Sequence, residues 1–545
     1  MKVSSLGSRE AGCSRQEARV VILAVAVAWL MAAPASAQVL GPMVEAFWAA
    51  ESGDEIDEAV ETILALDPEI GPLYTHVRAG ASYDSNALQG RQLLTRENTD
   101  GLEFRYEAYV PENYDPTRRY PVRVYLHGGV SRPRRDEPPF WRNAEPYLRD
   151  DTIVVLPESW GEAMWWQANQ IENLRGMLND LKGRYNIDEN AVYLMGVSDG
   201  ATGAFYHAFK APTPWAAFLS FNGHPVVLAS PSTEADGQMY VTNLRNKPFF
   251  AVNGGQDRLY PISSVLPFFQ LFVDAGISLD FRPKPEAGHN MQWWPEEAET
   301  VDQFILTRKR VPMPDRLVWE TESTERFNRA HWLVITELGS VDGENDFADD
   351  EFNQIQPAPS GVPIGFNTLG VLDTGGIQLI DIIQGSMAEV AGVQPGDVLV
   401  EMNDRPVANV EDLRDAVQAP RDEPGMSLTV VRDGERLSFT LVPPDTVQAP
   451  PPREAFPLPE LSGRVQLLRD DNHIGVVTRG VRRYTLLLSP EQFDFAQSFR
   501  VTTNGRVSFE GMVEPSPETL LRWAARDRDR TMLFGAQLDI EVEAP

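Results

Sequence analysis

At 545 residues, with 42% hydrophobic and 23% charged side chains, the chain is too long for a single hydrophobic core, and about three or four folding units are expected. Its net charge of −31 repels polyanions and disfavours nucleic acid as a partner. The one cysteine, Cys13, excludes disulfides, thiol catalysis and cysteine-ligated metals from everything that follows it.

Lys2, Arg9, Arg15 and Arg19 precede an apolar run over 20–33 that ends in Ala35-Ser36-Ala37. A basic stretch, a short apolar run and small residues in that order predict a secretory signal peptide over 1–37, cleaved before Gln38. The protein is therefore expected to be exported, to the periplasm or beyond, with no membrane span after cleavage; a retained anchor is the alternative, although the run is short for a bilayer. Over 38–89, Val44, Phe47, Trp48, Ile56, Val60, Ile63 and Leu64 recur at helical spacing. This helical region holds no cluster of catalytic residue types and reads as a structural cap on the domain after it.

From 90 to 312, candidate strands at 102–110, 122–127, 152–157, 191–196, 216–222, 248–253 and 278–283 alternate with helical patterns at 171–185, 263–275 and 295–309. That alternation predicts an α/β fold, a doubly wound, mostly parallel sheet covered on both faces. Two further strands in 313–340, at 317–320 and 331–335, cannot bury a core alone. Those in 460–543, at 465–468, 474–478, 484–488 and 501–507, supply partners, so the two stretches are expected to form one β-domain with the intervening chain inserted in it. The acidic stretch 342–351 lacks EF-hand ligand spacing and reads as a solvated linker, as does the Pro-rich 444–459.

Within the insertion, Gly385-Ser386-Met387-Ala388 and Ala391-Gly392-Val393-Gln394-Pro395-Gly396-Asp397 precede a strand at 398–402 and a helix at 410–417. The run 360–443 resembles a PDZ domain of the bacterial type. The resemblance implies a peptide or protein C-terminus as partner, its carboxylate held by a loop of Asn367, Thr368, Leu369 and Gly370. Leu369-Gly370-Val371 would begin the binding strand, and the helix at 410–417 would form the facing wall.

Gly196-Val197-Ser198-Asp199-Gly200 lies between a strand and a helix, the setting of a nucleophile elbow. A serine hydroxyl needs a positioned base, and histidine suits that task. Of seven histidines, His289 in Glu286-Ala287-Gly288-His289-Asn290 follows the last strand and can reach the elbow, with His224 in reserve. His127 belongs to another motif, His207 to the helix after the serine, and His76, His331 and His473 fall outside the sheet. Asp257, after the strand preceding that of His289, is the candidate to orient the imidazole, ahead of Asp274 and Asp280. The chain order Ser, Asp, His is the one α/β-hydrolases use. His127-Gly128-Gly129-Val130 ends an earlier strand, where backbone N–H groups can hold an oxyanion together with that of Asp199; which amide acts, Gly129 or a neighbour such as Gly128, stays open. Trp165, Trp166, Trp293 and Trp294 border the same edge, either as a substrate-binding wall or as buried packing.

With these residues, 90–310 resembles the secreted esterase group of α/β-hydrolases that includes polyhydroxybutyrate depolymerases and feruloyl esterases, with prolyl-oligopeptidase-like peptidases as close relatives. The resemblance implies a serine carboxylic ester hydrolase without metal or organic cofactor, with a small-molecule or polymer-derived ester as substrate and Ser198, Asp257 and His289 in the triad positions. The chain departs from secreted depolymerases in having Gly129 where they often carry a cysteine. A serine peptidase and a non-catalytic PDZ scaffold are the alternative readings.

Overall fold

The structure, a computed structural model, describes residues 35–50, 52–138, 141, 144–341, 347, 351–356, 364–371, 375–383, 386–418, 425–442 and 451–543. All but the last three residues of the expected leader lie outside these, as does most of the acidic stretch 342–351. The chain divides into two compact units, the smaller comprising 354–455 together with 263–268.

Helices α1 (Ala35–Ala49), α2 (Gly53–Leu64) and α3 (Ile70–Ala79) open the larger unit. Ser52 starts α2 through a reciprocal capping box with Glu55, which satisfies two otherwise orphan backbone donors. Eight strands follow: β1 (Gly90–Glu97), β2 (Glu103–Val110), β3 (Tyr120–Leu126), β4 (Ile153–Pro157), β5 (Ile187–Val197), β6 (Ala217–Phe221), β7 (Phe249–Gly254) and β8 (Leu279–Lys284). They form one sheet in the order β1-β2-β4-β3-β5-β6-β7-β8. The β1–β2 and β2–β4 pairs are antiparallel and all the others parallel. Helices α4 (Ala168–Arg184), α5 (Asp199–Lys210), α6 (Ile262–Asp274) and α7 (Trp294–Thr307) are the connections and the final cover. Strands β4, β6 and β7 are buried along their whole length, in keeping with their mostly apolar sequences, interrupted only by Ser220 in β6 and Asn253 in β7. This strand order is that of an α/β-hydrolase.

Strands β9 (Arg316–Thr321), β10 (Arg329–Ala330) and β11 (Leu333–Leu338) come next. The smaller unit then contains β12 (Gln354–Ile355), β13 (Phe366–Val371), β14 (Ile377–Ile382), α8 (Met387–Ala391), β15 (Val398–Met402), β16 (Arg405–Pro406), α9 (Val410–Gln418), β17 (Met426–Arg432), β18 (Glu435–Leu441) and β19 (Arg453–Glu454). Its main sheet runs β13-β14-β15-β17-β18 over a core that includes Leu379, Leu399, Met402 and Leu428.

Strands β20 (Gly463–Asp470), β21 (His473–Arg479), β22 (Val481–Leu488), β23 (Phe499–Thr503), β24 (Arg506–Gly511) and β25 (Ala536–Glu541), with α10 (Pro517–Asp527), complete the larger unit. One sheet runs β24-β23-β21-β20-β9 and the other β10-β11-β22-β25, so strands from before and after the insertion share both. Trp319 and Trp332 from the first stretch join Tyr484, Leu486 and Phe499 from the second in one core. The N-terminal helices find their apolar partner at the far end of the sequence: Phe47, Ile63 and Leu73 pack with Leu520, Leu521 and Ala524 of α10. No helix among the described residues is long and apolar enough to cross a membrane.

The C-terminal segment is also bound to the start of β5. Arg530 donates to the Glu189 carboxylate at 2.5 Å, to Asn186 Oδ1 at 3.1 Å and to the Ile187 carbonyl at 2.7 Å. Beside it Arg310 pairs with Asp529 at 2.7 Å. Removing one member of a buried pair strands the other charge, at a cost of about 3–5 kcal/mol. Arg530→Ala is therefore expected to lower the thermal unfolding midpoint clearly, and Arg530→Met combined with Glu189→Leu to recover most of the loss, as differential scanning calorimetry would read.

Candidate active site

Ser198 sits between β5 and α5 with φ 56° and ψ −120°, a strained backbone for a residue with a side chain. The strain persists because the elements on either side leave the turn no room to relax. A Cβ at Gly196 would lie 2.0 Å from the Gly200 carbonyl oxygen, and one at Gly200 would lie 1.9 Å from that of Leu126. Only glycine at both positions lets β5, α5 and β3 approach closely enough to raise the serine above the strand ends.

Strands β7 and β8 are parallel neighbours, so the loops that leave their C-terminal ends lie side by side. Asp257 comes from the first and His289 from the second. His289 Nδ1 lies 2.7 Å from Asp257 Oδ2, and its Nε2 lies 2.9 Å from Ser198 Oγ. The Nδ1–H donated to the carboxylate leaves Nε2 free to accept the serine proton. Asp257 is fully buried, and its other oxygen accepts the N–H groups of Leu259 at 2.8 Å and Tyr260 at 2.9 Å. The loops are tied together: Gln256 donates its N–H to the Ala287 carbonyl at 3.0 Å, and a Cβ at Gly254 would lie 2.2 Å from that oxygen. Asn222 donates to the Asn290 carbonyl at 2.9 Å from the other side.

The turn after β3 touches the serine directly, since a Cβ at Gly128 would lie 2.8 Å from Ser198 Cβ. Gly129 has φ 70°. The Asp199 carboxylate accepts the Val130 N–H at 2.9 Å, binding this turn to the first residue of α5. That bond occupies the Val130 amide; of the two glycines before it, Gly128 lies against the hydroxyl, its Cβ position 3.4 Å from Ser198 Oγ. His127 is a strut: Nδ1 donates to the Gly128 carbonyl at 2.9 Å and Nε2 accepts from Ser159 N–H at 3.1 Å.

Two residues escaped the sequence reading. The Asp199 side chain is one, although an acid in the first turn of a helix is a visible signal. Tyr260 is the other, its ring edge-on at 5.7 Å to those of both His289 and His224. Burial, reinforced by the negative charges of Asp199 and Asp257, pushes its hydroxyl up to about 12, so it remains a hydrogen-bond donor.

The substrate-wall reading of the tryptophans is corrected. Trp165 is fully buried and Trp166, Trp293 and Trp294 are each 4% exposed. Trp165 packs against α5 at Gly203 and donates to the His127 carbonyl at 2.8 Å. Trp293 and Trp294 pack edge-on against Phe221 in the core under the sheet. Their large apolar area was needed there. The PDZ loop is corrected as well: Asn367, Thr368, Leu369 and Gly370 lie inside β13, which pairs with β14 from Phe366 onward. The turn before the strand is Ile364-Gly365, where Gly365 adopts φ 94° and its carbonyl accepts from Ile383 N–H at 2.8 Å. The same apolar-Gly-apolar pattern occurs twice in this stretch, and the earlier copy forms the turn.

Residues 380–432 match the family model of the PDZ domain. A probable dipeptidyl-peptidase 5 of Aspergillus flavus is 24% identical over 268 residues, which are 42% of this chain and 37% of that protein. The chain thus spans little more than a third of the length of the curated relatives it matches. Among solved structures, a thermostable esterase aligns at 18% identity over 40% of this chain and 63% of its own, with a TM-score of 0.33. The acylaminoacyl peptidase of Pyrococcus horikoshii aligns at 14% identity over 42% and 43%, with a TM-score of 0.34. The eight-stranded sheet thus has the strand order of the α/β-hydrolase fold, and the chain carries a PDZ domain match at 380–432.

Three of the other histidines are buried away from the triad or shielded from solvent. Burial draws the His207 imidazole down from 6.5 to about 3, and burial likewise lowers those of His127 and His331. His207 therefore stays neutral in the fold down to about pH 3 but accepts a proton below about pH 6.5 once the chain unfolds. Stability from His207 is therefore complete above that pH and is lost as pH falls towards 3, at about 1.4 kcal/mol per pH unit. His207→Gln should flatten the acid side of the stability curve by that slope, as urea unfolding midpoints measured between pH 4 and 7 would record.

Proposed function

We propose that the protein is an exported serine hydrolase that cleaves carboxylic esters through an acyl-enzyme intermediate. The unbroken hydrogen-bonded chain from Asp257 through His289 to Ser198 carries this reading. In it, Ser198 Oγ attacks the ester carbonyl while His289 Nε2 takes its proton, and Asp257 steadies the imidazolium that forms. Collapse of the tetrahedral intermediate expels the alcohol, to which His289 returns the proton; water then repeats the sequence and releases the acid. The N–H of Asp199 and those of Gly128 and Gly129 take the role of oxyanion donors, each worth about 3 kcal/mol at the transition state. Export rests on the leader pattern over 1–37.

A peptidase is the second reading, and two observations favour it: the matched Aspergillus protein is named a dipeptidyl-peptidase, and the PDZ domain suits peptide termini. Strand β13 has β14 as its one neighbour in the sheet among the described residues, so a peptide can add along its other edge.

Short-chain nitrophenyl esters assayed beside peptide nitroanilides, with Ser198→Ala in each, separate these readings. The expected outcome is ester turnover that falls by about 10⁴-fold or more in the variant; turnover confined to the peptides would replace the ester reading with the peptidase, and serine-independent turnover would overturn both. Loss of the Asp199 carboxylate frees the oxyanion turn. Asp199→Ala should lower kcat about tenfold or more with KM little changed, and Asp199→Asn, which retains an acceptor, should lose less in steady-state assays.

A further inference from the structure

A cavity of about 520 Å³ lies in the larger unit, walled by α4, the last turns of α5 and the segments 325–329 and 526–532. That volume is within the range of roughly 300–1,000 Å³ in which proteins hold small molecules. It is remote from the nucleophile: His207, which lines it, follows Ser198 by about 13 Å of helical rise along α5.

Its wall combines apolar surface with polar groups that have little to bind. Trp215, Phe327 and Leu178 supply the apolar part. His207 Nε2 and Asn169 Oδ1 are buried without a hydrogen-bond partner. Lys182 Nζ has a 3.5 Å contact with the Asp527 carbonyl oxygen. Arg175, Arg526 and the exposed Arg326 have no ion-pair partner among the described residues, whereas three other cations of the wall are paired: Arg329 with Asp527 at 2.6 Å, Arg310 with Asp529 at 2.7 Å and Lys210 with Glu322 at 3.0 Å. Of the remaining acids in the wall, Glu172 accepts from Thr99, and Asp100 and Glu325 face solvent. In a chain of net charge −31, this leaves a local excess of positive charge beside an aromatic surface.

We propose that this cavity is a second binding site, separate from Ser198, for a small organic anion. Its carboxylate or phosphate group meets Arg175, Arg526 and Lys182, and its apolar body lies against Trp215 and Phe327. His207 Nε2 and Asn169 Oδ1 are placed for a polar substituent on that body.

Equilibrium dialysis of the full chain against radiolabelled benzoate, and separately against inorganic phosphate, tests the site and distinguishes the two anionic groups. Saturable binding of one equivalent of either probe is expected, weakened at least tenfold in the Arg175→Gln/Arg526→Gln double variant. Both side chains are exposed at the cavity mouth, so the variant should retain the unaltered circular dichroism spectrum. Binding of a probe at the Ser198 site would be indifferent to these two arginines. Absence of saturable binding of either probe, or binding unchanged in the double variant, would overturn the proposal.

Discussion

The close approach of β3, β5 and α5 around Ser198 is a steric constraint with consequences in every direction. With carbonyl oxygens about 2 Å from where Cβ atoms would stand at positions 196 and 200, the backbone can neither widen the turn nor move the serine back into the strand. The positive φ of Ser198 is thus imposed by packing on both sides. Because β3 is part of the same contact, the turn at Gly128 is brought against the serine by the strand that bears it. The Asp199–Val130 bond then fixes the remaining freedom of that turn.

The histidine and aspartate are positioned by a different mechanism. Neither needs a strained backbone, since neighbouring parallel strands end at the same height and their exit loops are in contact. What the site requires is that the two loops not drift apart, and the backbone bonds from Gly255 and Gln256 to Lys284 and Ala287 supply this. Tyr260 and Asn222 brace the pair from either side, so the 2.7 Å and 2.9 Å contacts of His289 follow from backbone geometry more than from the side chain's own choice of rotamer.

The parts of this arrangement that depend on one residue type in one local context were legible in the sequence. The strand-Gly-x-Ser-x-Gly-helix pattern identified Ser198, and position after successive strands identified Asp257 and His289. Strand β1 was not legible: it alternates half-buried and exposed residues, but its two leucines fall one on each side, Leu94 half-buried and Leu93 exposed, so it carries no hydrophobic alternation. The tryptophans misled for a related reason, because adjacency to His289 in sequence says nothing about which side of the sheet an indole takes. The partners of the N-terminal helices were out of reach as well, since amphipathic spacing reveals that a face is buried but not that α10, near the other end of the chain, covers it.

Large buried arginines do in this protein what disulfides do elsewhere. Arg528 donates to the carbonyls of Phe47, Trp48 and Ala50, Arg530 to three groups at the start of β5, and Arg310 to Asp529. A guanidinium has several donors in a rigid plane, so one side chain can bridge separate backbone segments and satisfy buried carbonyls at the same time. Strand β5 is therefore held at both ends, by Arg530 where it begins and by the glycine contacts at Ser198 where it finishes. Strain at the serine needs a strand that cannot slide along its own axis. The C-terminal β-domain, by gripping the other end, contributes to that rigidity without touching the site.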